Sequence, residues 1–238
     1  SIVIATRNSV EATDADIELT TNLLEIVDST TFQPGSVASG TGSTLIRPFT
    51  AGRPVFIGGT AANTLALPDA SLDLISAGGL VIGSSSSGPI AVSGPITRQA
   101  ATNVTLVSGG DISIFQPINT GGGTLGFQPG ATIGAVKPVG ANALLTASSV
   151  NTAGRLSLGI AGPVAAVTHD LLQVAGSVNL TGTTLVLTGG YVPQPTDAIR
   201  LVDNDGADGV TGNFTGLLEG AQVSLNGVPM VVSYSGGD

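Results

Sequence analysis

Short strand-like runs recur along this chain at an interval of about 22 residues, and no other feature limits its fold as much. Gly88-Pro89-Ile90-Ala91-Val92-Ser93-Gly94-Pro95-Ile96 is echoed by Gly110-Asp111-Ile112-Ser113-Ile114-Phe115-Gln116-Pro117-Ile118. Leu80, Val104 and Leu125 keep a similar spacing. Within each run Val, Ile, Leu and Thr alternate with small polar residues, the period-two pattern of a half-buried strand. Gly-Gly pairs punctuate the runs, as at Gly58-Gly59, Gly78-Gly79, Gly109-Gly110 and Gly121-Gly122. A period of this length predicts stacked coils. Each coil would contribute two or three short parallel strands, hydrogen-bonded to the coils before and after it at about 4.8 Å. An antiparallel sandwich is the competing all-β reading; it explains the strands but not the interval. Two segments are ambiguous between helix and strand: Glu18 to Val27, and Asp69 to Ile75, where Pro68-Asp69 makes a reasonable helix opening.

Composition narrows the function classes. Apolar residues make up 42% of the chain but aromatics only 3%, which suits narrow coils packed with Val, Ile and Leu. Charged residues are 10%, well under the roughly 25% of an ordinary domain, and low charge with high apolar content argues against disorder. The seven basic residues are scattered and the net charge is −9. No basic stripe exists to neutralise phosphates or to dock on anionic lipid, so neither nucleic acid nor membrane is an expected partner. The absence of cysteine removes disulfides, thiol catalysis and Cys-bound metals. No apolar run is long enough for a membrane-spanning helix. Ser1-Ile2-Val3-Ile4-Ala5 opens directly in a strand-like run without a basic n-region. Any export signal is therefore expected outside this sequence, which reads as a fragment or a processed product.

From His169 onward the turns become more varied: Gly189-Gly190-Tyr191, Asp203-Asn204-Asp205-Gly206 and Asn226-Gly227. Asn226-Gly227, between Val223-Ser224-Leu225 and Val228-Pro229-Met230, is a strong hairpin signal. A hairpin there would suit a cap over the last open coil.

Two stretches carry a family resemblance. Leu45-Ile46-Arg47-Pro48-Phe49-Thr50-Ala51-Gly52-Arg53-Pro54-Val55-Phe56-Ile57-Gly58-Gly59, with Thr64 to Ile75 and Gly79-Leu80-Val81-Ile82-Gly83 after it, resembles coils of filamentous-haemagglutinin-like giant exoproteins of Gram-negative bacteria. His169-Asp170-Leu171-Leu172-Gln173-Val174 through Val178-Asn179-Leu180, and Leu201-Val202-Asp203-Asn204-Asp205-Gly206 to Ala221, resemble the C-terminal segment of autotransporter-like surface proteins. The resemblance implies a right-handed parallel β-helix, outer-membrane secretion and a role at the cell surface. It implies no particular ligand.

Candidate chemistry is sparse. His169 is the single histidine; a triad would need it near a nucleophile and a carboxylate, and adjacent Asp170 would point to the opposite face of a strand. The acidic turn Asp203, Asp205, Asp208 is the one Ca²⁺ candidate, because alternate carboxylates around a glycine turn can present oxygens to the ion. It is read first as an Asx turn, in which these side chains bond their own backbone. Asp69 and Asp73 form a conceivable carboxylate pair for glycoside chemistry, but their spacing fits a small helical insertion better. Glu11, Asp14, Asp16 and Glu18 are read as a solvated strand edge. No Lys-Ser or Lys-Thr follows a glycine run, which excludes a P-loop.

The expectation is an all-β, right-handed parallel β-helix over residues 1–165 with a more irregular C-terminal β segment or cap over 166–238. Its expected role is that of a secreted bacterial cell-surface rod, structural or adhesive and not an enzyme, without a cofactor. Expected partners are itself, through strand edges or end-to-end assembly, or host-surface glycans and proteins. A self-assembling fibre or coat subunit is the first alternative and a carbohydrate-active β-helix enzyme the second.

Overall fold

The computed structural model describes residues 1–5, 7–26, 34–130, 133–135, 144–146, 149–152, 154–204 and 208–235. Strand accounts for 47% of the chain and helix for 2%, which makes the protein all-β. Most of its strands run parallel, in sheets.

Among the described residues three parallel sheets carry the fold. One has nine strands and includes Ser36–Arg47, Ile75–Gly83, Asn103–Val107, Thr124–Gln128, Ser149–Asn151, Ser177–Asn179 and Val210–Thr211. A second has seven, including Val55–Ile57, Ile90–Val92, Ile112–Ile114, Ile133–Ala135, Gly154–Gly159 and Thr183–Thr188. The third has five: Ile96–Thr97, Ile118–Asn119, Leu144–Thr146, Leu172–Val174 and Val202–Asn204. From Ile75 onward the chain visits the three sheets in strict rotation, so each strand bonds to the strand three places later. The rotation runs on through residue 165 to Val210–Thr211. The competing face-packed antiparallel sandwich is therefore not the structure, since these ladders are parallel.

The sequence echo is the register of this pairing. Ile90 lies beside Ile112, Ile96 beside Ile118, and Leu80 beside Val104, which lies beside Leu125. Alternation then places one set of side chains inside. Ile57, Val92, Ile112, Leu125, Val150, Leu156, Val174 and Val178 are all buried in one hydrophobic cluster. Equivalent aliphatic residues thus form columns along the direction of hydrogen bonding. Where the chain turns between sheets, backbone lies on backbone. A Cβ on Gly94 would run into the Gly58 carbonyl, and one on Gly58 into that of Gly94. Only glycine fits a contact of that kind.

Both ambiguous segments resolve on hydrogen bonding. Glu18 to Val27 contains two strands, Ile17–Thr20 and Leu24–Ile26; Val27 lies outside the described residues. Asp69–Leu72 is a single helical turn with Pro68 at its N-cap, followed directly by strand Ile75–Gly83. The N-terminal acids do more than edge a strand. Asp14 Oδ1 accepts the Thr41 N–H and hydroxyl, and Asp16 Oδ1 accepts the Ser43 N–H. These bonds fall between the pairings Glu11–Ala38 and Ile17–Thr44, so carboxylates serve strand Ser36–Arg47 where the ladder lapses. The Thr41 N–H, with its hydroxyl second, holds the Asp14 carboxyl below the usual carboxylate range. Asn226-Gly227 turns an antiparallel hairpin, Gln222–Leu225 against Val228–Val231, with φ of 50° and 84°. Both central residues are left-handed, as a type I′ turn requires.

Candidate functional site

From Asn103–Val107 onward the outward side chains of the nine-stranded sheet are uncharged and mainly polar, whereas its earlier strands present Leu45, Val81 and the ion pair of Arg47 with Glu18. Thr124, Ser149 and Ser177 stand in one register, and Gly126, Asn151, Asn179 and Thr211 in the next. Asn103 Oδ1 accepts both the N–H and the hydroxyl of Thr124, and Asn179 Oδ1 accepts the Thr181 N–H. The outward row of the seven-stranded sheet holds mainly small residues, Ala66, Phe56, Ala91, Ser113 and Ser157. Alternation leaves these side chains outside because their neighbours fill the core. Hydroxyls and amides at intervals of about 4.8 Å both donate and accept, which is the chemistry that binds sugars and polar protein surfaces.

His169 is a structural clasp. It is 5% exposed. One ring nitrogen, Nδ1, lies 3.0 Å from the Gly162 carbonyl and the other, Nε2, 2.9 Å from the Arg200 carbonyl. Asp170 is engaged separately, its Oδ2 accepting the Gly159 N–H at 2.8 Å. With carbonyl oxygens facing both ring nitrogens, the imidazole joins the 161–168 turn to the segment entering strand Val202–Asn204. His169→Leu is expected to destabilise the chain by about 2 kcal/mol, the cost of leaving a carbonyl without its donor. Urea unfolding followed by circular dichroism measures it, and an unchanged midpoint would remove the clasp.

The acidic turn does not come together as a cation site among the described residues. Asp203 Oδ1 accepts from Arg200 Nη1 at 2.7 Å. Asp208 is exposed, with its carbonyl accepting from Asn204 Nδ2, and Asp205 lies outside the described residues. No group of three or more His, Cys, Asp or Glu side chains is gathered for a metal among the described residues.

Asp69 and Asp73 flank the helical turn, and Arg98 reaches them from the strand above. Its guanidinium donates to the Leu72 and Ile75 carbonyls and lies 4.0 Å from Asp73 Oδ1. Asp69 Oδ1 accepts the Thr97 N–H at 3.0 Å. Strand Ile96–Thr97 ends the five-stranded sheet, so the helical turn stands where another strand would pair, and these side chains supply its bonds. Burial pushes the Asp69 carboxyl above its ordinary value, opposed by the Thr97 N–H. Burial pulls the Arg98 guanidinium below its own, opposed first by Asp73 and then by Asp69. The bonds account for this pair structurally, as a cap for a sheet edge.

A cavity of about 170 Å³ escapes sequence reading. It lies between the last parallel strands and the C-terminal hairpin, lined by Leu180, Leu187, Asn204, Phe214 and Met230 among others. Its signals in the sequence are Phe214 and Tyr234, two aromatics in a chain that has few. A scan of protein-family models found no match to this chain. Searches of the curated proteins and of the solved structures likewise returned none.

Proposed function

We propose that this chain is a right-handed parallel β-helix serving as a secreted, structural or adhesive rod at a bacterial cell surface, of the filamentous-haemagglutinin-like kind. The observation that carries the reading is the strict rotation through three parallel sheets. A chain that climbs by one strand spacing per rotation, with aliphatic columns inside, winds as a coil. The right hand follows from parallel crossover connections, which take it in roughly 98% of cases. Such a coil turns every other side chain outward in aligned rows, and on the nine-stranded sheet from Asn103 onward those rows are mainly Ser, Thr and Asn. Binding is then multivalent: many weak contacts along a stiff face add through effective concentration. No cofactor takes part in this reading.

A glycan array and a host-cell binding screen test it with the purified chain. Saturable retention on glycans or cell-surface proteins, weakened at least about fivefold when Asn151 and Asn179 are changed together to Glu, is the expected result, because the added charges disrupt the face without touching the core. Retention indifferent to that double change, or release of reducing ends from polysaccharide, would overturn it. Self-assembly is the second reading. It is favoured by apolar side chains left outside near the C-terminal hairpin, Leu218 at 72% and Val231 at 68% exposed. Negative-stain microscopy showing filaments that Val231→Lys abolishes would support it.

A further inference from the structure

One side chain fastens the tip of the C-terminal hairpin to the coils. Asn226 Nδ2 donates to the Gly189 carbonyl at 2.9 Å and to the Tyr191 carbonyl at 2.7 Å. Among the described residues these are the only hydrogen bonds between Gln222–Val231 and the preceding parallel strands with their turns. Leu225, the residue before, is 2% exposed, whereas Asn226 and Gly227 face solvent.

The same asparagine precedes a glycine, and Asn226-Gly227 is the chain's one Asn-Gly pair. The peptide nitrogen after an asparagine can attack the side-chain amide carbon and close a cyclic imide. A side chain on the following residue hinders that attack, and glycine has none. Here even a Cβ on Gly227 would meet nothing within 4 Å. The Gly227 N–H makes no hydrogen bond among the described residues. The nucleophile is therefore neither crowded nor engaged. Ring closure also needs backbone freedom, which a hairpin tip gains by local opening and a strand inside a ladder does not.

We propose that Asn226-Gly227 is a site of covalent self-modification that unfastens the hairpin. The Gly227 nitrogen bonds to Asn226 Cγ and gives its proton to solvent. The Cγ–Nδ2 bond breaks, and the amide nitrogen takes up a proton and leaves as ammonia. Water then opens the imide at either carbonyl, leaving a carboxylate on a normal or an iso-aspartyl link. No oxidant or reductant is needed. A carboxylate accepts hydrogen bonds and cannot donate them, so it is repelled by the Gly189 and Tyr191 carbonyls and both bonds are lost. The seated amide is held back by those bonds. Each time the tip lifts, ring closure competes with reseating, and once water has opened the ring the clasp cannot re-form. The change runs one way, and it does not depend on what the polar faces bind.

Ageing the whole chain in warm, mildly alkaline buffer tests this. Peptide masses locate the amide-to-acid change, and hydrogen exchange reads the hairpin. Conversion at Asn226 is expected at least about tenfold faster than at Asn103, Asn151 and Asn179, which stand in ladders, a difference of about 1.4 kcal/mol in barrier. Amides of Gln222–Val231 should exchange at least about fivefold faster in the converted chain, the worth of one hydrogen bond, with Asn103–Val107 unchanged. Asn226→Asp should show the faster exchange without ageing, and a circular dichroism spectrum like that of the unmodified chain separates release from misfolding. Conversion at Asn226 no faster than in the ladders would overturn the proposal. So would a converted chain, or a folded Asn226→Asp variant, whose hairpin exchanges as slowly as that of the fresh chain.

Discussion

Phe127→Ala is expected to lower the stability of the chain by about 4 kcal/mol, within the range for an aromatic deleted from a well-packed core. Phe127 is 1% exposed and heads the fully buried side chains by volume. It continues a column in which Ile46 pairs with Ile82, Ile82 with Leu106 and Leu106 with Phe127. The next strand, Ser149–Asn151, pairs only as far as Gly126. No regular strand residue stands beyond the ring to move into the space it would leave. The backbone at the ring is held by its ladder to Asn103–Val107, so collapse is resisted and a cavity remains. A loss of about 4 kcal/mol removes about a quarter or more of the stability of an ordinary domain. Urea unfolding should show a lower midpoint with little change in slope. Phe49, 75% exposed, is the control, and its change to Ala should stay within about 0.5 kcal/mol. A Phe127 variant that matched the control would show that the ring is not enclosed.

The same columns explain which parts of the fold are legible in the residues alone. Where successive strands of a sheet are equally spaced along the chain, equivalent residues recur at equal intervals, and the partnership of Ile90 with Ile112 is visible in the sequence itself. The Asn226-Gly227 hairpin is legible because its turn depends on two adjacent residues that tolerate positive φ. Legibility fades where connections lengthen. Val150 pairs with Val178, and Val178 with Val210, at intervals wider than those between the central strand partners. No fixed period finds those partners. Strand Leu65–Leu67 pairs with Val55–Ile57, a close parallel neighbour that the repeat does not announce. Asn204 is hidden for a related reason. Beside Asp203 and Asp205 it reads as a turn residue, and only its pairing with Val174 shows that it holds an interior place. The two carbonyl partners of His169 lie too far apart along the chain for spacing to reveal them.

Arg98→Ala is expected to cost about 3 kcal/mol, because it strips donors from carbonyls and leaves carboxylates near an emptied site. Arg98 is 6% exposed, and its guanidinium is what the Leu72 and Ile75 carbonyls bond to. Arg98→Met separates packing from charge: it restores most of the volume and none of the bonds, and it should recover only part of the loss. Charge then gives the variant a pH signature. Burial raises the Asp69 carboxyl above its ordinary value, while Arg98 acts to lower it. A carboxyl raised on folding adds stability below its unfolded value, and that stability is lost as the pH climbs through the folded value. Without Arg98 the folded value rises further, so the loss at neutral pH deepens. The deficit of Arg98→Met against the unmodified chain should therefore be larger at about pH 7 than at about pH 3.5, where the carboxyl is largely protonated in both states. Asp69→Asn in the Met background should flatten that difference. Urea midpoints for the four proteins at the two pH values decide it, and a deficit independent of pH would leave Arg98 a donor to carbonyls without an electrostatic part in seating the helical turn.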